Sequence, residues 1–541
     1  MKQFATAVFS ALILTFISTG ALAQQKTTIS GRVSEKGSGE TLIGVNIYVP
    51  SLKTGTASNA YGFYSLTLSL TEPVEIVFSY IGYQSQSMWI NPGQVVEKDL
   101  ILDPSIKLSE VVIEGNAIEK ISDVSQMSSI SLPVENVKNI PALLGEKDVF
   151  KALQLMPGVQ KGNEGSSGLY VRGGGPDQNL IILDDATVYN ANHLFGFFSL
   201  FNGDALKSIE LIKGGFPARY GGRLSSVVEM NMKDGNREKL SGEGGIGIIS
   251  SRLTLEGPIL KNKASFLVSG RRTYIDVLAR PFMSSGTGVA GYYFYDLNAK
   301  LNYEFDRKNR LFISGYFGRD KFQFKENGLS TSSNSLFKAG LFWENATATA
   351  RWNHVFSNRL FSNASLILSN YKLTIFEEEE YDSSFFRLDY SSGIRDLGLK
   401  YDFTFYPTAN HTIRYGLLST WHRFKPSAVV IEMSSTNEYT SEINSIHTLE
   451  NALYIEDDWK WNLWRGNIGV RVNNFISDSC HYIYPEPRVA FAYMLTETSS
   501  LKASWTLMNQ SVHLLSSTGM GLPTDLWVPS TKNLKPQRAW Q

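Results

Sequence analysis

The chain has 541 residues, 51 of them basic and 51 acidic, so its formal charge is zero and composition gives no electrostatic argument for a nucleic-acid partner. Aromatic residues make up 12%, with 25 tyrosines and 31 phenylalanines; aromatic girdles at two membrane interfaces use such a surplus, and a large β-sandwich can show it too. The lone cysteine, Cys480, excludes an internal disulfide framework.

Residues 1–23 read as a signal peptide. Lys2 supplies the positive end, Ala11–Ile17 the apolar stretch, and Ala21-Leu22-Ala23 a small-x-small cleavage site before Gln24. No other segment approaches about 20 consecutive apolar residues, so any membrane crossing falls to strands. Residues 27–103 read as a small β-sandwich, with strands expected at Ile29–Val33, Gly44–Val49, Gly62–Leu70, Val74–Tyr80 and Met88–Ile90. Leu66, Leu68 and Leu70 alternate with Thr67 and Ser69, which predicts one buried face. Asn46, Asn59 and Gly62 read as turn and edge residues rather than as chemistry. Pro104 opens a linker, residues 104–127. Within it, Leu108-Ser109-Glu110-Val111-Val112-Ile113 is β-prone and alternating, able to add a strand to a partner's sheet edge. Pattern alone fits equally well the last strand of the preceding domain.

Residues 128–236 read as an α+β domain. Gly145–Met156 predicts a short helix ended by Pro157-Gly158, and Asn179–Leu183 and Ser208–Ile212 predict strands. Arg172-Gly173-Gly174-Gly175 lacks the Gly-Lys-Ser/Thr that completes a phosphate loop, so nucleotide binding is rejected. Asp184-Asp185 is read as a hairpin turn rather than a catalytic carboxylate pair. The run Asn190–Phe198 is too apolar for a free loop and is expected against a wall. The alternative places it at an apex facing ligand, with Asn192, His193 and Phe195 as candidate contacts.

Residues 237–541 are a series of alternating strands. Tyr295, Leu297, Ala299, Leu301, Tyr303 and Phe305 interleave with Asp296, Asn298, Lys300, Asn302 and Glu304. The pattern recurs at Leu397–Phe405, Ala346–Phe356, Gly466–Asn473 and Leu501–Leu507. Strands of about ten residues with one apolar face are a transmembrane barrel signature, whereas sandwich strands run to about five or six. Glu326–Ser335, Glu377–Ser384 and Ser434–Thr448 are expected as external loops, the acidic run Glu377–Glu380 as solvated rather than cation-binding. The seven histidines show no metal-ligand or triad spacing. The expectation is therefore no enzyme, no metal and no cofactor.

Four elements in order, Arg172-Gly173-Gly174-Gly175, Asn179–Asp184, Val188–Asn190 and Glu210–Arg223, resemble the plug domain of TonB-dependent outer-membrane receptors. The segment from Gly31 resembles a carboxypeptidase regulatory-like domain, and Leu108–Ile113 is similar to a TonB box. The resemblance implies a mainly β fold: N-terminal β-sandwich, α+β plug, and a transmembrane antiparallel β-barrel. It implies motif residues Arg172, Gly173, Gly174, Gly175, Gly214, Gly215, Arg219 and Arg223, with Arg172 free to pair with wall carboxylates. The implied activity is import across a Gram-negative outer membrane, driven by TonB, with outer-membrane lipid around the barrel and the N-terminal domain in the periplasm. The ligand class stays open among iron chelates, cobalamin, glycans and peptides. A non-transporting surface binding or structural protein, and a non-functional receptor fragment, are the alternatives.

Size adds a further expectation. A plug of roughly 110 residues is about 34 Å across, while a barrel of 14 strands leaves only about 18 Å inside and one of 22 strands fits. Strand-like segments from Leu240 onward number about thirteen, so the chain is expected to be C-terminally truncated, its barrel incomplete.

Overall fold

A computed structural model describes residues 26–105, 124–134, 137, 148–161, 169–193, 198–283, 288–330, 333–381, 384–433, 436–442, 445–496, 498–515 and 526–541. The expected signal peptide, Leu108–Ile113 and Phe195 lie outside them.

The N-terminal domain is a sandwich of two four-stranded sheets. One joins β1 (Lys26–Glu35) to β4 (Phe63–Ser69), β7 (Val95–Glu97) and β8 (Leu100–Leu102); the other runs β3 (Thr54–Ala57), β2 (Asn46–Val49), β5 (Val74–Ser79), β6 (Gln86–Ile90). Ile29, Ile47, Leu66, Ile76 and Phe78 fill the space between them. Asn59 Oδ1 accepts from the backbone N–H groups of Tyr61 and Phe63, the side-chain-to-backbone turn expected there. One feature departs from the sequence pattern: on β4 both faces are buried. Leu66 and Leu68 face the core, and Phe63, Ser65 and Thr67 are equally inaccessible. The second face is covered by the C-terminal strands.

The middle domain is built on a five-stranded sheet of order β13 (Ala186–Thr187), β12 (Asn179–Leu183), β17 (Ser226–Met232), β16 (Leu206–Lys213), β9 (Ser129–Leu132). Helix α1 (Val149–Gln154) is shorter than expected because Asp148 caps it. Asp148 Oδ1 accepts from the N–H groups of Phe150 and Lys151, and Oδ2 from Ser199 N. Val149, Phe150 and Leu153 pack on Ile209, Leu211 and Met230 of the sheet. Two hairpins stand beside it: β10 (Val159–Lys161) with β11 (Leu169–Val171), and β14 (Asn192–His193) with β15 (Phe198–Ser199).

The remaining chain forms one antiparallel wall around this domain. It runs β18 (Ser241–Ile246), β19 (Ser250–Leu260), β20 (Ala264–Thr273), β21 (Val289–Glu304), β22 (Asn309–Ser330), β23 (Ser333–Ser357), β24 (Leu360–Tyr381), β25 (Ser384–Thr408) and β26 (His411–Met433). It continues through β28 (Ile446–Trp461), β29 (Trp464–Ser477), β30 (Cys480–Met494), β31 (Ser500–Gln510) and β34 (Gln537–Trp540), with β27 (Thr436–Glu442) paired on β26. A separate hairpin joins β32 (Val512–Leu515) to β33 (Leu526–Pro529). Among the described residues the wall has 15 strands, with β18 and β34 at its two ends. The short β27 and β34 account for the excess over the expected thirteen.

Burial on this wall is inverted relative to a water-soluble sheet. Leu297, Leu301, Leu399 and Leu453 point outward at 48%, 46%, 52% and 63% exposure, while Asp296, Asn298, Lys300 and Asn302 point inward and are nearly inaccessible. An apolar face left outside and charges kept inside fit a solvent of hydrocarbon. The described residues of the expected loops at Glu326–Ser335 and Glu377–Ser384 are strand instead, as are 436–442 and 446–448 of the expected loop Ser434–Thr448. β22 to β26 are 22 to 25 residues long, roughly twice what crosses a bilayer. The ladders run past the apolar band, and there a strand needs no hydrophobic face to keep its backbone bonds.

Candidate functional site

The middle domain meets the wall in three clusters of buried charge. The first grows from a two-residue hairpin. β12 pairs with β13 through Leu183 and Ala186, leaving Asp184 and Asp185 as the turn, both at positive φ (46° and 69°). That geometry matches a type I′ turn, where Asp is among the residues tolerated. It also drives two carboxylates into the wall. Asp185 accepts from Arg351 Nε (2.9 Å), Ser365 Oγ (2.8 Å) and Lys400 Nζ (3.0 Å), and Asp184 sits 3.2 Å from Lys300 Nζ. Burial alone would raise the Asp185 carboxyl; Arg351 and Lys400 outweigh it and hold the group far below the usual carboxylate range.

The second cluster surrounds the loop after β16. Arg219 pairs with Glu456 at 2.5 Å, and its backbone N–H donates to the same carboxylate at 3.0 Å. Arg488, wholly buried, donates to the carbonyls of Phe216, Pro217 and Tyr220 and to Glu486. A Cβ on Gly221 would come within 2.3 Å of Arg471 Nε, so a side chain there would push the Arg471 guanidinium from its bonds to Asn473 and the Arg219 carbonyl. Arg223 lies over the rings of Tyr189 and Trp527.

The third cluster is His193 on β14. Its Nε2 is 2.7 Å from Asp296 and its Nδ1 2.5 Å from Asp320, and its ring stacks on Phe294 at 4.0 Å. Arg271 pairs with Asp296 at 2.6 Å, and Tyr316 and Tyr292 bond to Asp296 and Asp320. Burial would lower the imidazole pKa, but the two carboxylates prevail and hold it at about 9.

The first two clusters border a cavity of about 110 Å³ between domain and wall, reached by Asp185, Arg223, Lys400, His422 and Glu450. A larger space of about 700 Å³ lies at the end of the wall that carries the turns at 305–308, 358–359 and 409–410, here the short-turn end, bounded by Ala57 and Ser65 of the N-terminal domain, Ser129 and Lys213 of the middle domain, and Arg414 and Lys502 of the wall.

The structure separates the motif residues into two groups. Arg219 and Arg223 engage the wall. Arg172–Gly175 and Gly214–Gly215 lie together at the short-turn end: Arg172 donates to Ser128 Oγ within its own domain rather than to a wall carboxylate, and Gly215 N donates to Gln541. Gly173, Gly214 and Gly215 have positive φ. Asn192 and His193 are apart from both, buried against β21 to β23. Sequence reasoning missed Lys300, Arg351, Lys400, Glu456 and Arg488. Their signal was available, because each is a charge at an inward position of an alternating strand.

Three comparisons bear on this geometry. The family model described as "TonB dependent receptor-like, beta-barrel" matches residues 268–541, "TonB-dependent Receptor Plug Domain" matches 126–228, and "CarboxypepD_reg-like domain" matches 29–113. A TonB-dependent receptor of Formosa agariphila is 29% identical over 201 residues, 36% of this chain and 18% of that protein. The TonB-dependent receptor SusC of Bacteroides thetaiotaomicron is 28% identical over 229 residues, 39% of this chain and 21% of its own length. The chain thus matches about a fifth of the length of these curated relatives. A point mutant of the ferric enterobactin receptor of Pseudomonas aeruginosa superposes with a TM-score of 0.54 at 17% identity, covering 76% of this chain and 68% of that one. At that identity the likeness is one of fold.

Proposed function

Because this chain belongs to the TonB-dependent receptor family, we propose that it imports a scarce ligand across the outer membrane, with TonB and the inner-membrane proton gradient supplying the work. The observation that carries the reading is the seal: a separate domain closed into a lipid-facing wall by ion pairs that are buried yet non-covalent. Such contacts hold against thermal motion and yield to a directed pull, because each is lost as a unit once one partner moves. The end where the N-terminal domain sits is assigned to the periplasm, since barrels of this kind reach farther on the outside and β22 to β26 run past the apolar band at the opposite end.

Leu108–Ile113 is the proposed handle. An extended segment pairing with a sheet edge of TonB transmits tension through main-chain hydrogen bonds. Asn192, His193 and Phe195 are proposed to meet ligand only after the β14–β15 hairpin has left the wall, since His193 is fully buried before then. The ligand is an iron chelate, cobalamin, a glycan or a peptide.

The test is Val111→Pro, which removes a ladder donor. Uptake is measured across a panel of labelled ferric chelates, cobalamin, oligosaccharides and peptides. The expected result is loss of uptake with unchanged surface abundance; normal uptake by the variant refutes the coupling.

A further inference from the structure

The N-terminal domain is seated across the short-turn end, touching both the plug and the wall. From β1 and β4 it presents a face of Thr28, Ser30, Arg32, Phe63, Ser65 and Thr67, all nearly inaccessible. The wall turns meet this face directly. Arg32 Nη1 donates to Arg307 O (2.5 Å), Ser65 Oγ to Asn358 O (2.5 Å), Arg359 Nη2 to Thr28 Oγ1 (3.1 Å), and Ala409 N to Thr67 O (2.8 Å). Tyr61 reaches further, its ring 5.6 Å from Phe361, 6.0 Å from Phe312 and 5.4 Å below the Arg351 guanidinium. That guanidinium is the one holding Asp185. On the plug side Glu40 pairs with Lys207 at 3.0 Å, Lys207 with Asp234 at 3.0 Å, and Asp234 with Lys300 at 3.0 Å. One chain of buried charge therefore runs from the N-terminal domain through the plug to the wall.

The chemistry of the seat sets its permanence. A permanent interface resembles a domain core cut in half, whereas interfaces between domains that move are more polar. Here the buried face is mostly hydroxyls, which water can serve as well as the wall does. Two of the three guanidinium nitrogens of Arg32, Nε and Nη2, have no hydrogen-bond partner among the described residues, a desolvation cost that undocking relieves. We propose that the N-terminal domain is a removable stopper: docked, it braces the plug and closes the periplasmic mouth, and it must leave this seat before the plug can leave the wall. The inference rests on the reading of the middle domain as a moving plug.

Two single-cysteine probes in a Cys480→Ser full-length background test it. Ser65→Cys lies under the stopper, and Ser369→Cys lies under the plug, where Ser369 Oγ donates to Thr187 O at 2.6 Å. In the purified receptor, Ser65→Cys should react with maleimide at least tenfold more slowly than Ser87→Cys, which is exposed on β6. Adding Tyr61→Ala and Arg359→Ala should erase that protection while Ser369→Cys stays protected. Equal rates at Ser65→Cys and Ser87→Cys overturn the docked state. In cells given the same ligand panel, with and without a protonophore, the expected result is energy-dependent labelling of both probes. Labelling of Ser369→Cys alone means that the plug moves with the domain in place, which overturns the stopper and leaves transport standing. Labelling of neither removes the transport reading and the stopper with it.

Discussion

At His193 both ring nitrogens meet carboxylate oxygens, and an ionised carboxylate only accepts, so both nitrogens must donate and the ring must be an imidazolium. His193 and Arg271 then balance Asp296 and Asp320, and the burial of four charges is tolerable because they cancel. Removing one cation breaks that balance. His193→Gln is expected to weaken plug retention by about 3–5 kcal/mol, read as a lower urea concentration for plug unfolding while the wall stays intact. The pH dependence follows from the raised pKa: the contribution is full below about 6.5 and is lost as pH rises through about 9. Wild-type plug retention should therefore decline between pH 6.5 and 9.5, and His193→Gln should remove most of that slope. The sequence made His193 noticeable as an imidazole in an apolar run. It could not show the two aspartates, which stand more than a hundred positions later on other strands.

At the scale of elements, the Asp184-Asp185 turn joins two requirements that are usually met separately. The backbone needs residues that accept positive φ, and the wall needs carboxylates. Asp185→Asn keeps the first and removes the second, since Asn tolerates the same conformation. It should leave the β12–β13 hairpin formed but reduce the ion pairing of Lys400 to Asp402 at 2.9 Å and that of Arg351 to Asp184 at 3.9 Å, with a loss of plug retention of about 2–5 kcal/mol, measured in the same urea titration. The turn itself was legible, because two polar residues between Leu183 and Ala186 have few other uses. The wall strands were legible from their period of two, as were most sandwich strands. Strand ends were not: β22 to β26 continue through segments that read as loops, because polar residues on both faces carry no periodic signal. β3, β7 and β8 were missed because three or four residues are too few for a period to register.

At the scale of the whole molecule, the inversion of the wall predicts an asymmetric response to charge. Leu399→Arg, on the outward face directly across from Leu366 of β24, should cost about 2–4 kcal/mol, the cost of an arginine at the bilayer midplane. The loss would appear as reduced heat-modifiable, folded protein in outer membranes; unchanged folding would contradict a lipid-facing assignment. The stopper carries its own pH signature. Burial pushes the Glu40 carboxyl up to about 7 against the pull of Lys207, while Lys207 itself is held up and Asp234 held down, so both stay ionised. The docked state thus favours protonated Glu40, and docking should weaken as pH rises from about 4.5 through about 7. The Ser65→Cys labelling rate relative to that of Ser87→Cys should be higher at pH 8 than at pH 5.5, the ratio cancelling the thiol's own pH dependence. The sequence revealed the domain but not its seat, because hydroxyls on a sandwich's outer face look the same whether water or another domain covers them.

The three clusters also determine what a departing plug leaves behind. The hairpin removes two negative charges from beside Lys300, Arg351 and Lys400, whereas His193 and Arg219 each remove one positive charge from beside Asp296, Asp320 and Glu456. Asp234 and Asp204 remove two more negative charges, from Lys300 and Arg252, so four negative and two positive charges leave the wall. The vacated wall is therefore more positive than the sealed one, its cations on β19, β21, β23 and β25 interleaved with carboxylates on β21, β22 and β28. An anionic cargo would be drawn to that surface before any single residue bound it, and the same field would draw the acidic turn of the returning plug back to the cations it left.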